Sequence, residues 1–125
     1  MPRCRCEGLN GLDLLLCSAP PEGEYETEYE LSKNIKIIIN KSGIFIKQVG
    51  LDDFLPFTRT IYKKVTREET LAAYGLNSED KLSRLVCMNI ENLLRASEKG
   101  SLYARRLVSE CDSFFKKYYE KYCST

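Results

Sequence analysis

The run from Asn34 to Val49 constrains the fold of this chain more than any other segment. Two β-rich stretches flank Lys41-Ser42-Gly43, which predicts a β-hairpin. Side chains alternate between the two faces of a strand. Ile35, Ile37, Ile39, Ile44 and Ile46 then form one aliphatic face that requires a core. Lys36, Ile38, Phe45 and Lys47 form the other. A turn at Lys41-Ser42 or at Ser42-Gly43 leaves this sorting unchanged. The first turn sets Lys36 directly opposite Lys47, a mildly destabilising pair that an anionic partner would relieve. The plainer reading is a solvated outer face bearing one aromatic.

Charge is distributed unevenly around the hairpin. Met1 to Ser32 carries two basic and seven acidic side chains. Lys33 to Arg67 carries eight basic and two acidic, a local charge of +6, and the remainder is balanced. The basic excess thus belongs to the expected sheet. Such a localised face is the electrostatic footprint of a nucleic-acid binder, although solvated domains carry similar faces.

Histidine is absent, which removes the usual general base and the commonest metal ligand. No Ser–His or Cys–His pair, phosphate-binding glycine loop or paired-carboxylate motif is present, so neither catalysis nor a cofactor is expected. The six cysteines, at 4, 6, 17, 87, 111 and 123, are irregularly spaced, and three fall in helical patterns. That pattern suggests free thiols in a reducing, intracellular compartment, nuclear or cytoplasmic. Cys4-Arg5-Cys6 resembles half of a soft-metal site, but no second pair has zinc spacing, and no metal is expected. Leu12 to Leu16 is too short and too interrupted for a signal peptide, and no run approaches transmembrane length.

The expected organisation is an N-terminal arm over residues 1–23 and one α+β domain over 24–125. Its four-stranded antiparallel sheet spans 24–65, followed by one short and two long helices over 66–122. In the arm, Leu12-Asp13-Leu14-Leu15-Leu16 matches a short helical docking pattern, but a loose turn against the domain is the simpler expectation. Glu22 to Leu31 alternates strictly and predicts an edge strand with a carboxylate outer face. Leu51 to Pro56 reads as a connection and Phe57 to Val65 as the fourth strand. Thr66-Arg67-Glu68-Glu69 has the form of a capping box, and Gly75 closes the short helix it would open. Ser78 and Ser101 start the two long helices, whose apolar stripes include Cys87 and Cys111.

Gly43, Phe45 and Lys47, followed by Pro56, Arg59, Ile61 and the segment from Thr66 to Glu69, resemble the single-stranded nucleic-acid-binding superfamily. That group includes the transcriptional coactivator positive cofactor four, the Pur-alpha repeat proteins and the Whirly proteins. The resemblance covers Leu31 to about Gly75. It implies a curved four-stranded sheet and helix, usually dimeric, that holds single strands on a basic face. The chain departs from the pattern in its missing tryptophan, its fewer basic residues and its two extra helices. The resulting expectation is a non-enzymatic module with a role in transcription or RNA regulation. Lys36 and Lys47 would contact phosphates, Phe45 would stack on a base, and Tyr62 and Lys64 would extend the face. The alternative is a protein-interaction or regulatory subunit acting through the C-terminal helical hairpin. A homodimer is expected in part from the resemblance and in part from the tyrosines of the last helix, and no membrane contact is expected.

Overall fold

The computed structural model describes residues 3–51 and 58–124. The chain runs α1 (Gly11–Cys17), β1 (Thr27–Ser32), β2 (Ile35–Asn40), β3 (Gly43–Leu51), β4 (Thr58–Val65), α2 (Glu68–Ala73), α3 (Glu79–Glu98) and α4 (Leu102–Tyr118). One π-helical stretch, Tyr119–Cys123, extends α4. The strands form one antiparallel sheet in the order β1-β2-β3-β4, so the α+β architecture is present. The expected connection from Asp52 to Pro56 and the start of β4 at Phe57 lie outside the described residues.

The hairpin turns at Lys41-Ser42, because Asn40 pairs with Gly43. Asn40 Oδ1 accepts the amide of Ser42 at 2.8 Å and closes the turn from within. Gly43 has φ 140°, and a Cβ there would meet Lys64 Cε at 3.0 Å. Ile37, Ile39, Ile44 and Ile46 are buried, as the alternation requires, and Ile35 at the strand end is half-buried. Leu85, Val86, Ile90 and Leu93 of α3, Leu107 and Phe115 of α4, and Leu71 complete the same core.

The chain leaves α3 through a Schellman turn. Ser101 N donates to Ala96 O, and Gly100 N donates to Ser97 O. Gly100 takes φ 101° there, and Ser101 Oγ then caps α4 by accepting the amide of Ala104. Ser78 caps α3 in the same manner through Lys81. The expected capping box at Thr66 does not form. Val65 is still paired with Ile44 and buried, and Arg67 remains extended, so the N-cap falls on Arg67 with no side-chain bond.

Strand β1 begins at Thr27 rather than at Glu22. Strand β2 supplies no partner beyond Asn40, so residues 22–26 turn across the hairpin tip instead. Glu26 accepts the side-chain amide of Asn40 at 3.0 Å, and Glu22 accepts the hydroxyl of Ser42.

The segment before β1 is built into the core. Leu12, Leu14 and Leu15 of α1 are buried, together with Cys6 and Ala19. Asn89 of α3, fully buried, donates its amide to Leu15 O and Ser18 Oγ at 3.0 and 3.2 Å. Tyr103 donates to Ala19 O at 2.7 Å.

The free-thiol expectation is overturned. All six cysteines are bridged, as Cys4–Cys111, Cys6–Cys17 and Cys87–Cys123. Helical spacing misled here, because a cysteine on an apolar stripe serves equally well as a packed thiol and as one end of a staple. Cys111 is buried on α4 where the N-terminal segment crosses it, and Cys87 faces the π-helical turn. Arg5 reinforces the first staple through a bidentate pair with Glu110, at 2.7 and 2.8 Å. This hydrogen-bonded guanidinium holds the Glu110 carboxyl below the ordinary glutamate value of about 4.3. A carboxyl lowered on folding adds stability above its unfolded pKa and loses it as pH falls through the folded value. The stability difference between wild type and Arg5→Ala should therefore be present at neutral pH. It should shrink below about pH 4.3, as denaturant titrations at the two pH values will read.

Candidate nucleic-acid interface

The long helices pack on the isoleucine face, and among the described residues Glu28, Glu30, Lys36, Tyr62 and Lys64 are exposed on the opposite one. Its side chains follow from the strand register. Glu30, Lys36, Lys47 and Tyr62 form one cross-strand row, and Glu28, Ile38, Phe45 and Lys64 form the next. The five residues expected to act together, Lys36, Phe45, Lys47, Tyr62 and Lys64, thus share two adjacent rows. Lys36 does oppose Lys47 directly.

Exposure separates the roles of these residues. Tyr62 is 61% exposed, and Lys47 Nζ lies 5.8 Å from its ring centroid. That arrangement leaves the aromatic ring available while a cation sits beside it. Lys36 and Lys64 are exposed, and Lys47 is half-buried. Phe45 is also half-buried, with its ring near Gly43 and its strand partner Ile38, which keeps only 9% of its exposure. Tyr62 is therefore the freer stacking surface.

Glu28 and Glu30 lie on the same open face, with Glu30 paired to Lys36. The face grades from acidic at β1 to basic and aromatic at β3 and β4. Neither these glutamates nor the three lysines take part in an ion pair among the described residues. Alternation in the sequence already placed the glutamates on one side of their strand. That they share the lysines' side depends on the register of β1 against β2.

The helical side has a different character. A groove of about 500 Å³ runs between α3 and α4, lined by Ile90, Leu94, Val108, Phe115 and Tyr119 among others. Tyr118 and Tyr122 make a tilted ring contact at 4.6 Å between centroids, and Tyr122 is 41% exposed. Burial raises the Tyr118 hydroxyl pKa above its usual value.

The sulfurs of Cys4, Cys6 and Cys111 lie within 4.8 Å of one another, but each is already committed to a bridge. No helix among the described residues is long and apolar enough to cross a membrane. Comparison with protein-family models, with curated proteins and with solved structures yields no match.

Proposed function

We propose that this protein is a non-enzymatic binding module that holds single-stranded nucleic acid on the open face of its sheet. The observation that carries this reading is the row Lys36–Lys47–Tyr62 beside Phe45 and Lys64, in which Lys36, Tyr62 and Lys64 are exposed. Lysines track a phosphate backbone, and an exposed ring gives any base a stacking partner worth about 1–3 kcal/mol. Tyr62 under Lys47 favours a ligand with planar bases over a merely charged polymer. The three bridges favour an oxidising compartment over the reducing one expected from the sequence.

Gel shift with single-stranded DNA and RNA across a salt series tests the reading. Lys36→Ala and Lys64→Ala should each weaken binding and flatten the salt slope by roughly 0.7 for every phosphate no longer neutralised. Tyr62→Ala should weaken it by about 1–3 kcal/mol with the slope unchanged. Phe45→Ala, at a half-buried ring, should act in the same direction but less strongly. Glu28→Gln/Glu30→Gln, which removes the acid beside Lys36, should tighten binding. Absence of binding at low salt rejects the proposal. Equal binding of single-stranded DNA and RNA by wild type and Tyr62→Ala reduces it to polyanion attraction alone.

A second reading is favoured by the groove between α3 and α4. Its apolar lining and the exposed Leu94, at 40%, suit docking of a protein partner instead.

A further inference from the structure

Among the described residues, both outer strands of the sheet leave one backbone edge without a partner strand, and the two edges carry opposite charge. Strand β1 bears Glu28 and Glu30, both exposed. Strand β4 bears Arg59, Lys63 and Lys64, all exposed, together with Ile61 at 51%. Charged edges ordinarily prevent sheets from joining. Here the pattern blocks only some joins. Pairing β4 with β4 sets lysine and arginine against each other, and pairing β1 with β1 sets glutamate against glutamate. Pairing β1 with β4 sets acid against base.

Strand direction permits that third pairing. Every neighbouring pair in the sheet is antiparallel, so β1 and β4 run in opposite directions. The β1 of a second, identically oriented copy therefore meets β4 antiparallel, with the two open faces on the same side. Extending the row Glu28–Ile38–Phe45–Lys64 straight across places Glu28 of the second copy opposite Lys64. The same register places Tyr29 of the second copy opposite Lys63 and its Glu30 opposite Tyr62. Leu31, half-buried, then comes beside the exposed Ile61, and the bulge between Glu30 and Ser32 ends the regular run there.

We propose that the protein self-associates head to tail, with β1 of one copy adding to β4 of the next, Glu28 lying directly across from Lys64 and Glu30 diagonal to it on the same face. Such a contact is heterologous. It leaves a free β1 and a free β4 at the ends of each assembly, and gives a ring or an open chain rather than a two-fold dimer. Successive open faces would join into one longer surface. The association needs no nucleic acid.

Sedimentation of the nucleic-acid-free protein, with its bridges intact, tests the proposal. At about 10 mM ionic strength, where charges act over roughly 30 Å, the weight-average mass should rise to at least double that of one 14.4 kDa chain. At about 1 M salt it should return to the monomer. Glu28→Lys/Glu30→Lys alone should stay monomeric, and so should Lys64→Glu alone. Mixed, the two variants carry complementary edges at both junctions, and association should return. A wild type that remains monomeric at low salt overturns the proposal. So does association that survives either charge reversal, which would move the contact to another surface such as the groove between α3 and α4. Circular dichroism of each variant confirms its fold, and restored association in the mixture excludes misfolding as the cause of the loss.

Discussion

Replacing Cys4 and Cys111 together by alanine should lower the unfolding free energy by about 5 kcal/mol, the largest effect of any bridge. The two cysteines are separated by 107 residues, so their bond removes more freedom from the unfolded chain than the others do. On the same entropic scaling, loss of Cys87–Cys123, separated by 36 residues, should cost about 4 kcal/mol. Loss of Cys6–Cys17, separated by 11, should cost about 3 kcal/mol. The order of the three midpoints in denaturant is the decisive reading. Three equal losses would locate the stabilisation in packing around each bridge instead of in closure of the chain. Small domains have only about 5–15 kcal/mol in total, so the first variant should sit close to its unfolding threshold.

Ile46→Ala should cost roughly 2–5 kcal/mol, and Ile37→Ala a similar amount. The two residues are cross-strand partners on the core face, 1% and 0% exposed, beneath the long helices. Removing either leaves a void that a bridged scaffold has little freedom to close. Ile61→Ala is the matched control, because its side chain is 51% exposed and its loss should stay within about 0.5 kcal/mol. A cost near zero at Ile46 would mean that the core does not rest on the sheet as described.

Period-two alternation made the hairpin legible without coordinates. Reversing the sorting of Ile37 and Ile46 against Lys36 and Lys47 would have buried two lysines. The face shared by Tyr62 and Lys64 followed from the same rule once β4 was placed. Other features depend on contacts that alternation does not encode. Glu22 to Tyr25 alternates as well as any strand, yet it lies beyond the last residue of β2 that could pair with it. Asn89 looks like one polar position on an apolar helix, and its role appears only when α1 lies across it. The bridges were the least legible, since Cys4 and Cys111 are near neighbours only after the N-terminal segment has folded back over α4. The even count of cysteines and the absence of histidine were the available signals, and helical spacing outweighed them wrongly.

The bridge between Cys4 and Cys111 also sets an order on maturation during synthesis. Cys17 emerges 94 residues before Cys111, a delay of roughly 5–20 s at ordinary elongation rates. For the first 70 residues of that interval, until Cys87 emerges, Cys4 and Cys6 compete for a single further thiol, and they are two positions apart. A Cys4–Cys17 crosslink is therefore the mispaired species to expect on nascent chains, and it strands Cys6 until Cys111 arrives. Correct pairing then requires a disulfide exchange late in synthesis, so this chain should mature faster where an isomerase is at hand.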